Sequence, residues 1–110
     1  MARYLIKVSY VGEGVPGFLK EGGSGRRKAS ERVIEALGGK IEAMYYAFGE
    51  TDAFIIVNLP DNVSAVTASL MVNASGRVKV TYTPLFTAEE IDKAAEKGRQ
   101  IHDAYRAPGQ

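Results

Sequence analysis

Residues 40–59 read KIEAMYYAFGETDAFIIVNL. Two runs rich in Tyr, Phe, Ile and Val, 40–48 and 53–59, flank the polar turn Gly49-Glu50-Thr51-Asp52. β-Branched and aromatic runs bounded by turn residues form strands. A connection this short joins them only as an antiparallel hairpin, because a parallel return needs a crossover of a dozen residues or more. The second run is apolar at nearly every position, the pattern of a strand inside a sheet.

On the N-terminal side, Arg3 to Tyr10 alternates, with Tyr4, Ile6, Val8 and Tyr10 on one face and Arg3, Leu5, Lys7 and Ser9 on the other. This is a half-buried strand. The glycine-rich stretch VGEGVPGFLKEGGSG follows, and its segment VPGFLKE has room for a short helical turn with Pro16 near the start. A longer helix is expected after Ser24 as cap, with Ala29, Val33, Ala36 and Leu37 as its apolar stripe. Gly38 suits the left-handed position that ends it.

Beyond the hairpin, Asp61 or Asn62 caps a second helix, whose stripe is Val63, Val66, Thr67, Leu70 and Met71. Residues 77–83, RVKVTYT, form a fourth strand that Pro84 ends. Thr87 and Glu90 make a capping box for a last helix with apolar Ile91, Ala94, Ala95, Ile101 and Tyr105, weakened by Gly98. The order β-α-β-β-α-β predicts an α+β, ferredoxin-like domain over 1–86. Its four-stranded antiparallel sheet has strand order 4-1-3-2, with two helices on one face. A C-terminal helical extension spans 87–106 and a frayed tail 107–110.

Composition narrows the partners. The 110 residues carry 14 Lys+Arg and 13 Asp+Glu, a net charge of +1, which gives no broad field for nucleic acid or a membrane surface. No apolar run reaches membrane-spanning length, and the charged N-terminal stretch lacks a signal-peptide pattern, so a cytoplasmic protein is expected. There is no cysteine and a single histidine, His102, read as a surface residue beside Asp103; no metal site is expected. The stretch GRRKAS (25–30) does not match a P-loop and reads as a solvated helix start.

Gly12-Glu13-Gly14-Val15-Pro16-Gly17 has the G-x-G-x-x-G spacing of a dinucleotide-binding turn. That reading needs a parallel βαβ unit and an acidic residue about 20 positions on. The hairpin at 40–59 removes the first requirement, and no suitable acid meets the second. With 12 glycines in 110 residues, the spacing arises by chance about 0.14 times. No cofactor is expected, and the segment reads as a flexible connection at one end of the sheet.

Alternation divides the strands between two faces. The helix-facing set is Tyr4, Ile6, Val8, Ile41, Ala43, Tyr45, Ile55, Val57, Leu59, Val78 and Val80. The open set is Leu5, Lys7, Ser9, Glu42, Met44, Tyr46, Phe48, Phe54, Ile56, Asn58, Lys79 and Thr81. The open set is too apolar to face water and too polar for a dry core. It predicts a homo-oligomer, a dimer or higher, formed through the open face around a partly polar cavity. Lys7, Glu42, Tyr46, Asp52, Asn58 and Lys79 are the candidate ligand-binding residues, with the two lysines on adjacent strands placed to attract an anion.

Three stretches, RYLIKVSYVGEGV, ALGGKIEAMYYAFGETDAFIIVNLPDN and GRVKVTYTPLFTAEE, resemble the GYD-domain family of small bacterial proteins and together span most of residues 3–90. The resemblance maps the family's turn motif onto Gly49 and Asp52, with Thr51 at the tyrosine position. It implies a relative of the dimeric α/β-barrel proteins and assigns no activity. In the turn itself, Gly49 would supply a positive φ and Asp52 would bond nearby amides; alternatively, Asp52 is a carboxylate at a cavity mouth. Three functions follow: a small-molecule-binding oligomeric barrel; a cofactor-independent oxygenase or isomerase-like enzyme using Asp52, Tyr46 or a lysine as acid/base; or a non-catalytic assembly module.

Overall fold

The computed structural model describes all of residues 1–110. Strand β1 (Ala2–Tyr10) is followed by helix α1 (Gly14–Ala36), the hairpin β2 (Lys40–Tyr46) and β3 (Ala53–Leu59), helix α2 (Asn62–Ala74), β4 (Val78–Leu85) and helix α3 (Ala88–Gln100). A short 3-10 turn, His102–Ala104, closes the chain. All strand pairs are antiparallel, in the order β2-β3-β1-β4. The expected α+β sheet, its order and its hairpin are all present.

The core lies between the sheet and the two helices. Tyr4, Ile6, Val8, Ile55, Val57, Leu59 and Val80 point into it, as alternation predicts. Ile34 of α1 and Ala65 of α2 pack against them. The opposite sheet face is covered by no other element. α1 lies mainly on β2 and β1, α2 mainly on β4 and β3, and the two helices scarcely touch each other.

Local chemistry explains the helix ends. Gly22, at φ 73°, kinks α1 into segments 14–21 and 23–36. The helical turn expected at Pro16 is therefore a full helical segment, and the second segment starts at Gly23 rather than after a Ser24 cap. Gly38, at φ 82°, ends α1 in a Schellman motif: Gly38 N donates to Glu35 O and Gly39 N to Ile34 O, both at 2.9 Å. Asp61 caps α2 by accepting from Ser64 N at 2.8 Å. The Tyr4 hydroxyl donates to Asn62 Oδ1, tying β1 to the start of α2. Thr87 and Glu90 form the expected capping box of α3.

Three expectations are corrected. β4 continues through Pro84 to Leu85; it is an edge strand, where a missing N–H is tolerated. The α2 stripe points outward: Val63, Val66, Leu70 and Met71 are exposed, and small Ala65 and Ala68 meet the sheet instead. α2 lies mainly on β4, and its close approach to the sheet leaves room only for small side chains at the contact. The third correction is in β2. Ile41 pairs with Val57 and Ala43 with Ile56, so a bulge at Glu42 inserts one residue and reverses every later side chain. Met44 and Tyr46 join the helix side; Ala43 and Tyr45 turn to the open face.

α3 stands off the domain, with no buried residue. It stretches the radius of gyration to 17.6 Å, against roughly 13 Å for a compact chain of this length. No helix is long and apolar enough to cross a membrane.

Tyr82 pairs with Ile6 and meets the Tyr4 ring edge-on at 6.5 Å. Burial pushes its hydroxyl up to about 12. An unfolded tyrosine ionises near pH 10, so the neutral phenol favours the fold fully below pH 10, and this contribution is lost as pH rises from 10 to about 12. Tyr82→Phe is expected to flatten stability against pH in that window by up to about 2 kcal/mol, after allowance for partial exposure. Urea midpoints measured from pH 9 to 12 check it; an unchanged slope would refute it.

Candidate functional site

The open face has two chemically distinct ends. Arg3 of β1 and Asn58 of β3 are register partners beside the β2 bulge. Glu42 accepts from Arg3 Nη2 at 2.9 Å and Arg3 Nε at 3.1 Å, and from Asn58 Nδ2 at 2.5 Å. The Arg3 bond, with help from Asn58, lowers the Glu42 carboxyl below the ordinary carboxylate range. Glu42 and Asn58 thus lie on the expected face, but their polar groups are spent on each other and on Arg3. Sequence reading missed Arg3, although its place beside Asn58 follows once the strand order is known.

At the other end, Lys7 faces Phe54 on β3 and Thr81 on β4, while Lys79 faces Ser9. The two lysines are diagonal neighbours on one sheet face. Both are exposed, and neither belongs to any of the five ion pairs. Leu5, Phe54 and Ile56 fill the ground between the two ends, with Tyr45 beside Phe54. Tyr45 is 73% exposed. Only the bulge puts it there, and a bulge leaves no signature in the alternation.

Tyr46 does not belong to this face. Its hydroxyl donates to Gly23 O at 2.7 Å on the helix side, and its ring forms a three-ring cluster with Phe18 and Phe48. It pins the kink of α1 to the end of β2.

Asp52 also has a structural task. Its carboxylate accepts from Tyr10 N at 2.8 Å, and its own N–H donates to Val8 O at 2.8 Å. The hairpin turn is thereby anchored to the end of β1, which fits the reading of Asp52 as a residue that bonds nearby amides. Gly49 does not supply the positive φ; Phe48 does, at 52°. The Phe48 ring is held against Phe18 at 5.2 Å and Tyr46 at 6.0 Å, which fixes this costly conformation from outside the turn. Thr51 uses its carbonyl, which accepts from Gly49 N at 3.2 Å. His102 lies exposed, 3.0 Å from Asp103.

The structure therefore brings together Lys7 and Lys79, separately brings together Glu42 and Asn58, and takes Tyr46 out of the site. A family model described as the GYD domain matches residues 4–95, and the chain belongs to that family. No curated protein and no solved structure matches it.

Proposed function

We propose that this GYD-domain chain is a homo-oligomeric binding module. Two copies join through their open sheet faces and hold a small anionic molecule near Lys7 and Lys79. The observation that carries the reading is a sheet face left uncovered by its own chain, in which an apolar centre borders two unpaired lysines. Apolar ground of this kind favours association. Two ammonium groups without a carboxylate beside them favour an anion once water is excluded.

The catalytic alternative loses support from the same geometry. Tyr46 lies on the other side of the sheet, and the Asp52 carboxylate serves the Tyr10 amide. A lysine alone remains as a candidate acid or base. The assembly-only alternative differs in one respect: it gives the lysines no ligand.

Light scattering should give the mass of two or more chains, and native mass spectrometry should find an anion retained in the assembly. Lys7→Ala/Lys79→Ala should lose that anion and stay assembled, because the apolar ground is untouched. A monomeric wild type overturns the reading. An assembly that keeps its mass and holds no anion leaves the interaction module alone.

A further inference from the structure

The opposite side of the sheet holds a second feature. Because α1 and α2 scarcely touch, a cleft of about 220 Å³ opens between them down to the sheet. Its floor is Ile6, Val8, Ile55 and Val80, all buried, and Val33 and Val72 form opposing walls. One charged residue reaches this apolar space: Arg26, on the second segment of α1. Its Nη1 binds Glu21 at 3.2 Å, at a pair open to solvent. Its Nε is buried and has no hydrogen-bond partner.

The guanidinium spends an Nη1 bond on Glu21 and, with five N–H donors in all, keeps others for an acceptor beside the cleft. A carboxylate matches a guanidinium in charge and planar geometry. The apolar floor excludes a wholly polar anion such as phosphate, which would lose its hydration there without compensation. The volume is below the roughly 300 Å³ where drug-sized pockets begin, so the ligand is short.

We infer that the α1–α2 cleft binds a small amphipathic carboxylate, with its hydrocarbon part on Ile6, Val8 and Val80 and its carboxylate at Arg26. The site is independent of the open face: it lies across the sheet and uses neither lysine. The Gly22 kink sets the Arg26-bearing segment at its own angle to the first turns of α1. Arg26 therefore stands beside the cleft, which is also lined by Tyr10, whose ring packs on Phe18 at 4.9 Å.

The test uses octanoate as probe and octanol as its neutral counterpart, with methyl NMR of the full chain. Octanoate should shift the Ile6, Val8 and Val80 methyl resonances. Arg26→Gln should weaken octanoate by about tenfold or more and change octanol by less than about twofold. Val33→Phe, which fills the cleft, should abolish both, with an unchanged amide spectrum elsewhere as the check on folding. Lys7→Ala/Lys79→Ala should bind octanoate as the wild type does. The inference fails if millimolar octanoate leaves those methyls unmoved, if Arg26→Gln binds it as tightly as the wild type, or if the lysine variant loses it.

Discussion

Gly14→Ala is expected to destabilise the domain by about 3 kcal/mol or more, the upper range for forcing atoms into a packed site. Gly14 is buried at the start of α1. A Cβ there would overlap the carbonyl oxygen of Arg77 and stand 2.8 Å from its carbon. Both obstacles are backbone, so no rotamer change relieves them. The backbone is also held in place: Val11 N donates to Arg77 O at 2.9 Å, and Gly14 N donates to Val11 O at 2.8 Å. Gly17, three residues on, has open space at its Cβ position. Gly17→Ala should be neutral or stabilise by about 0.5–1 kcal/mol, since alanine is the better helix former and restricts the unfolded chain. Urea unfolding of both variants at constant m-value checks the contrast. Equal midpoints would show that the Arg77 approach is soft.

This contrast explains the G-x-G-x-x-G spacing without a nucleotide. Gly12 takes φ 51°, Gly14 admits the Arg77 backbone, and Gly17 answers to neither demand. The spacing combines two local steric needs with one ordinary helical glycine. The sequence indicated that the fingerprint fails, because the hairpin at 40–59 excludes a parallel crossover. It did not indicate that the loop is short and that a helix starts at Gly14, since helix propensity is poor for GVPGFLKEGGSG. Here packing outweighed local preference.

The rest of the fold was legible where the pattern is binary and uninterrupted. β1 and β3 alternate cleanly and face as expected. Two places defeated that logic. In β2 the bulge at Glu42 adds one residue, and a period of two converts that single insertion into a complete exchange of faces for residues 43–46. In α2 the helical period allows two stripes, a bulky one and a small one. Close approach to the sheet selected Ala65 and Ala68. The candidate site inherited the first error, which placed Tyr46 on the open face in place of Tyr45. Arg26 was read only as part of a solvated helix start, because no sequence pattern reveals that two helices leave a gap beside it.

Ile56→Glu is expected to separate the proposed assembly into folded monomers. Ile56 sits at the centre of the open face, between Leu5 on β1 and Ala43 on β2. Four strands spaced about 4.8 Å, with about seven residues each, present a face of roughly 19 by 23 Å. That footprint of about 440 Å² is about half of the roughly 800 Å² of accessible surface that each partner buries in a standard interface. A small interface depends on its apolar centre, and the ion-paired Arg3–Glu42 end contributes little by comparison. A two-fold arrangement would bury the new carboxylate twice, once on each copy. The self-association constant should therefore weaken by about 100-fold or more, as expected for unpaired charges at an interface centre. The monomer should tolerate the change within about 1 kcal/mol, because the same side chain points away from its own core. Sedimentation at several concentrations measures the first quantity and circular dichroism the second. A variant that keeps the wild-type mass would place the interface elsewhere, with the exposed Val63, Val66 and Leu70 face of α2 and the free-standing α3 as the surfaces to substitute next. A variant that unfolds as well as dissociates would mean that the sheet needs its partner to fold, and Ile56→Thr, polar but β-branched, would then separate the two effects.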